Sequence, residues 1–216
     1  MCRVRVVKGV VFDMDGTLLD SLECLVAAYG DVVSAAGGVA FSSADVVAAF
    51  PLGPPRQILG HLLQRPATTG EEEAYVAALQ THADAVLVYQ GVRHLLTALA
   101  ALDIPVGVFT GASASSARQL LGDADLLEFF PVVVGGDEVE GRKPAPDGIH
   151  RACDLIGIPA TEVGYVGDSP LDARAARRAG ALAIAAGWGH LFDQDVAWDV
   201  VAIEPHHVLD HVRLRN

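Results

Sequence analysis

The chain has 216 residues, 51% of them hydrophobic, which suits a full buried core and excludes a disordered protein. Fifteen Lys and Arg stand against 27 Asp and Glu, a formal charge of −12, so the surrounding field repels nucleic acid and anionic membrane, and an anionic ligand needs a metal ion or placed cations. Cys2, Cys24 and Cys153 are far apart and form no CxxC pair, which fits a reducing cytoplasm; no apolar run is long enough to span a membrane, and the short one after the basic start reads as no signal peptide.

From Val6 to Phe12 the residues are mostly β-branched or aromatic, as in a buried strand of a parallel sheet, and the run stops at Asp13-Met14-Asp15-Gly16-Thr17. Two carboxylates therefore stand at a strand's carboxyl end, where open α/β sheets bind ligands; the plain alternative is that Asp15 opens a turn. Ser21 is a candidate N-cap for a helix with apolar residues at Leu22, Leu25, Val26, Tyr29, Val32 and Val33, ended by Gly37-Gly38. Residues 43–50 and 55–64 read as two short helices on either side of Pro51-Leu52-Gly53-Pro54-Pro55. A further helix opens on Glu71-Glu72-Glu73, read as a solvated first turn, with Tyr75, Leu79, Ala83 and Val86 on its apolar stripe. With no strand expected between 21 and 88, residues 20–88 read as a small all-helical inserted domain.

Beyond Gly91, strands and helices alternate. Val92 to Leu102 is helical and Ile104 to Phe109 a buried strand ending at Thr110-Gly111-Ala112-Ser113; a helix to about Leu121 and a strand Val132 to Val134 follow. A loop over residues 140–147 carries Lys143 and leads into a helix through Leu155; then come a strand Val163 to Val166, the run Gly167-Asp168-Ser169-Pro170-Leu171-Asp172, a helix, a strand Ala181 to Ala185 and a further strand at Val200 to Ile203. This alternation predicts an α/β, Rossmann-like three-layer core of residues 1–19 and 89–216, with a parallel sheet between helices.

Strand ends or adjoining loops thus carry Asp13 and Asp15, Thr110, Lys143, and Asp168 with Asp172. Their order resembles the four motifs of the haloacid dehalogenase-like phosphohydrolases, in particular the phosphoglycolate phosphatase branch with a helical cap: Asp-x-Asp-Gly-Thr, a Ser or Thr after the second strand, a Lys, then Gly-Asp-x-x-x-Asp. The resemblance implies a magnesium-dependent phosphatase acting on a small phosphorylated metabolite in the cytoplasm, as a monomer or homodimer. By its chemistry Asp13 can attack phosphorus to give an acyl phosphate, while Asp15 protonates the leaving alcohol and later deprotonates water. Mg²⁺ is expected on the Asp13 carboxylate, the Asp15 carbonyl and Asp168, with Asp172 in the same acidic set, supporting that shell or orienting Lys143.

Thr110, with the Gly111 N–H beside it, is expected to bind phosphoryl oxygens. Lys143, one of only two lysines against thirteen arginines, is a compact charge suited to sit between carboxylates and phosphate. Residues 21–88 hold only two cations besides histidine, Arg56 and Arg65; Arg56 is the expected contact for a second anionic group on the substrate. Trp188 either lines the mouth or belongs to the core, and His61, His82, His206 and His207 lie in no ligand pattern. Where the branch often has Thr-Asn, this chain has Thr110-Gly111. The alternative enzyme is a sugar phosphomutase of the same superfamily; a catalytically silent binding protein is the alternative of a different class.

Overall fold

The computed structural model describes residues 6–212, and two compact units emerge from it, one of residues up to Asp20 and from Val88 onward, the other Ser21–Leu87. The first is built on a six-stranded parallel sheet: β1 (Gly9–Phe12), β4 (Val106–Phe109), β5 (Val132–Val134), β6 (Val163–Gly167), β7 (Leu182–Ala186) and β8 (Val200–Ala202), ordered β5-β4-β1-β6-β7-β8. Its helices are α5 (Val92–Ala101), α6 (Ala114–Asp123), α7 (Asp147–Ile156) and α8 (Pro170–Ala179). Two short strands, β2 (Leu19–Asp20) and β3 (Leu87–Val88), lie where the chain passes between units.

Strand alternation sorts the core. Val11, Phe109, Val134 and Tyr165 join Ile149, Ala152, Cys153, Ala175 and Ala176 of α7 and α8 in one buried cluster. Phe12 points the other way and meets Phe130 edge-on at 6.1 Å. Register then aligns the strand ends: Phe12 pairs with Val108 and Val166, Phe109 with Val134, and Val166 with Ile184. Residues 13, 110, 168 and 187 consequently leave the sheet at one edge, its carboxyl end.

The second unit contains α1 (Leu22–Ala35), α2 (Ser43–Ala49), α3 (Pro55–Leu62) and α4 (Thr69–Thr81). Tyr29 stacks on Tyr75 at 4.4 Å amid Val32, Val33, Val46, Ile58 and Leu59. Glu71 is more than a solvated residue: it closes a capping box with Thr68 and pairs with Arg65 at 2.6 Å. Ser21 precedes α1, but its side chain makes no capping hydrogen bond to the first turn.

The expected strands hold with shifted ends. β1 starts at Gly9 rather than Val6, because Val7 and Lys8 bond to His211 and Glu162 outside the ladder. β4 starts at Val106 because Pro105 has no N–H to give, although its carbonyl accepts from Val10. The absence of strands expected over residues 21–88 is corrected by the two-residue β3. No helix among the described residues is long and apolar enough to cross a membrane.

Candidate active site

β1 ends in Phe12, and Asp13 continues it by donating its N–H to the carbonyl of Val166 on β6. The chain then coils tightly: the N–H groups of Thr17, Leu18 and Leu19 all reach the Met14 carbonyl, and Gly16 takes a φ of +79°. A side chain at Gly16 would meet two obstacles, the left-handed backbone and Asp168 Oδ2, which a Cβ would approach to 2.3 Å. The turn therefore packs directly on Asp168. Asp15, expected beside Asp13, is partly buried in this same turn.

Lys143 lies at the centre. Its Nζ is 2.6 Å from Asp13 Oδ1 and 2.8 Å from Asp172 Oδ1, all three side chains being almost wholly buried. The ammonium also lies over the rings of Phe109 and Tyr165, at 5.3 Å and 5.5 Å from their centres. Burial opposes its charge, but Asp13 and Asp172 outweigh burial and raise its pKa, so it stays protonated. Asp13 responds oppositely: burial pushes it up to about 7 against the pull of Lys143, with Asp172 and Asp15 adding to the rise. Burial, then Asp172 and Asp13, likewise raise Asp168 well above the carboxylate range.

Asp172 opens α8. Its Oδ2 accepts from the N–H and hydroxyl of Ser169 at 3.0 Å and 2.6 Å, while Oδ1 faces Lys143 and the Tyr165 hydroxyl. Asp168 differs: Oδ2 accepts from the Leu191 N–H at 2.9 Å, and Oδ1 is buried with no hydrogen-bond partner among the described residues. Asp13, Asp168 and Asp172 offer oxygens within 4.8 Å of one another, and the ammonium among them balances only one negative charge. Hard oxygens, a bare buried carboxylate oxygen and an excess of negative charge fit a small divalent cation.

Thr110 is buried, and its Oγ1 accepts from the Ala112 N–H at 3.2 Å, which leaves its proton to donate. It does not cap α6; Ser113 does. A Cβ at Gly111 would find no atom within 4 Å, so open space lies beside Thr110. Arg56, in the other unit, donates from Nε to the Ala67 carbonyl at 3.1 Å and lies 3.9 Å from Glu72. Trp188 is half-buried, with its indole N–H on the Thr17 carbonyl at 2.9 Å.

Sequence reasoning missed Tyr165, whose buried hydroxyl reaches both the Phe109 carbonyl at 3.0 Å and Asp172 Oδ1 at 3.3 Å. It also missed the Tyr89 hydroxyl against His190 Nδ1 at 3.2 Å. Neither residue has a local pattern that marks it; only the inward face of β6 signals Tyr165.

The family model described as haloacid dehalogenase-like hydrolase matches residues 10–186. A phosphoglycolate phosphatase from Chromobacterium violaceum is 34% identical over 204 residues, covering 85% of this chain and 86% of that one. Another, from Yersinia pseudotuberculosis, is 30% identical over 206 residues, covering 91% and 88%. Among solved structures, a putative phosphoglycolate phosphatase from Lactobacillus plantarum superposes with a TM-score of 0.82 at 22% identity, over 95% of this chain and 99% of that one. A variant of CbbY from Rhodobacter sphaeroides in complex with xylulose-(1,5)bisphosphate gives 0.80 at 19% identity, over 93% and 96%. At such identities these two likenesses establish the fold alone.

Proposed function

The chain belongs to the haloacid dehalogenase-like hydrolases, and from that premise we propose that it is a phosphatase releasing inorganic phosphate from a small phosphorylated metabolite. Phosphoglycolate is the first substrate to try, because relatives at 34% and 30% identity carry that name. The observation that carries the reading is Asp13: a buried carboxylate at the carboxyl end of β1, 2.6 Å from a charged lysine and clustered with the carboxylates of Asp168 and Asp172.

In this reading an Asp13 oxygen attacks phosphorus, and the bond from phosphorus to the substrate oxygen breaks. Asp15 gives its proton to the departing alcohol and afterwards takes one from the water that attacks the aspartyl phosphate, returning Asp13 and releasing phosphate. Thr110 Oγ1–H and the Gly111 N–H donate to phosphoryl oxygens, and the Lys143 ammonium offsets their charge. Asp13, Asp168 and the Asp15 carbonyl would hold Mg²⁺, which supplies positive charge to the phosphoryl group and to the nucleophilic carboxylate. Asp172, whose oxygens are occupied by Ser169, Lys143 and Tyr165, acts through the lysine.

The test is phosphate release from a panel spanning phosphoglycolate, sugar phosphates, nucleotides and aromatic phosphates, with Mg²⁺ and with chelator. Magnesium-dependent release from a few related compounds is expected, and Asp13→Asn should lower it at least about a thousand-fold with an unchanged circular-dichroism spectrum. Absence of release from every compound, or release that survives Asp13→Asn, overturns the reading.

A further inference from the structure

The loop after β7, Gly187-Trp188-Gly189-His190-Leu191, has no part in the reaction just described, yet it is pressed against the acidic cluster. The geometry points to this loop as the element that decides which oxygen of Asp168 meets the cation, with Trp188 as its latch; the inference rests on the metal-dependent reading above.

The two oxygens of Asp168 are not equivalent. Oδ2 is tied to the Leu191 N–H at 2.9 Å, whereas Oδ1 is buried without a hydrogen-bond partner among the described residues. A carboxylate with one oxygen held and one bare is a single-sided ligand, and the loop supplies the holding donor. The loop backbone approaches closely: a Cβ on Gly189 would stand 2.3 Å from Asp168 Cβ and 2.3 Å from the Gly16 carbonyl oxygen. Asp168 is thus enclosed between two glycines, Gly16 of the turn after β1 and Gly189 of the loop after β7.

Several bonds fix the loop in that position. At its base the Gly187 N–H donates to Ala202 O at 2.8 Å and the Gly189 N–H to Ala186 O at 2.9 Å. At its tip the Trp188 indole N–H donates to Thr17 O at 2.9 Å, which fastens the loop to the turn that starts from Asp13. Tyr89 makes a second tie, its hydroxyl against His190 Nδ1 at 3.2 Å and its N–H on Leu18 O at 3.1 Å. One loop therefore fixes Asp168 directly and the turn between Asp13 and Leu19 through Trp188 and Tyr89. Trp188 touches none of the reacting atoms; it is a positioning residue, and loss of such an outer partner typically weakens metal binding about 10–100-fold.

The experiment is calorimetric titration of the chelator-stripped full chain with Mg²⁺, for wild type, Trp188→Phe, Gly189→Ala and Asp168→Asn. We expect wild type to bind, Asp168→Asn to lose the site, and Trp188→Phe to bind about tenfold or more weakly, with turnover restored by raising Mg²⁺. A residue that served only the general fold would show no such rescue. Thermal unfolding in chelator identifies any variant that fails to fold, and Gly189→Ala then decides in place of Trp188→Phe. Wild-type affinity in Trp188→Phe and Gly189→Ala, with binding lost in Asp168→Asn, overturns the role of the loop and leaves the metal site standing. Absence of Mg²⁺ binding by the wild type overturns the metal-dependent reading and this inference with it.

Discussion

Lys143 is held by two carboxylates in front and two aromatic rings beneath, and Tyr165 joins these supports together. Burial first, then Asp172 and Asp13, push the Tyr165 hydroxyl well above its ordinary pKa, so it remains protonated and donates. Its single proton is shared between Phe109 O, one residue before Thr110, and Asp172 Oδ1, the partner of the lysine. Tyr165→Phe keeps the ring under the ammonium and removes only the hydroxyl. A hydrogen bond to a charged group is lost, so we expect a fall in stability of about 1–2 kcal/mol in denaturant titration and a kcat lowered about tenfold with little change in KM. Unchanged kcat would show that Asp172 needs no help in aiming Lys143. Motif spacing marks the candidates Asp13, Lys143, Asp168 and Asp172, which the structure brings together, and Thr110 after β4, so these were legible. Tyr165 was not, because its role depends on the face of β6 it occupies and on what α8 brings above it.

At the scale of elements the sequence was readable wherever periodicity met a local stop. β5 begins and ends where expected, between Pro131 and Gly135, and the helices α2 and α3 fall on either side of the proline-rich break. What eluded the pattern were ends set by distant partners, as at β1, and the use of side chains as caps. Ser42 with Asp45, Thr68 with Glu71 and Ser169 with Asp172 all close capping boxes, the last aiming its carboxylate at Lys143 as well. In α4 the box gains a cation. The Arg65 hydrogen bond first, then the Thr68 N–H, lower the Glu71 pKa to about 2. A depressed folded pKa gives stability that is present above the unfolded value of 4.5 and lost as pH falls toward about 2. Glu71→Gln should therefore lower the thermal midpoint at neutral pH, and the difference from wild type should close near pH 2; a constant difference would mean that shape rather than charge is at stake. Thr68→Ala, which removes the cap itself, should cost about 1 kcal/mol at any pH where the chain is folded.

For the molecule as a whole, the central tension is three buried carboxylates around one ammonium in a chain already at −12. Asp13 rises from 3.8 to about 7 through burial, and Asp168 rises for the same first cause. Between 3.8 and about 7 the native chain binds more protons at Asp13 than the unfolded chain does, so the stability Asp13 contributes is complete below about pH 4 and is lost as pH rises through about 7, with Asp168 acting in the same direction. Lys143 does not offset the loss, since its raised pKa keeps it charged throughout this window. The metal-free protein should accordingly unfold at a lower temperature at about pH 8 than at about pH 5.5, above the range where Glu71 and Asp45 begin to lose their own contribution. Mg²⁺ reverses the sign of the argument, because a cation binds the deprotonated carboxylates and gains affinity as they ionise. The gap between midpoints in Mg²⁺ and in chelator should thus widen from about pH 5.5 to about pH 8, while Asp13→Asn in chelator should exceed wild type by about 5 °C at the higher pH and by less at the lower. Differential scanning calorimetry across that range makes the comparison. A gap that stayed constant with pH would mean that the buried carboxylates are ionised throughout, and that Lys143 alone satisfies them.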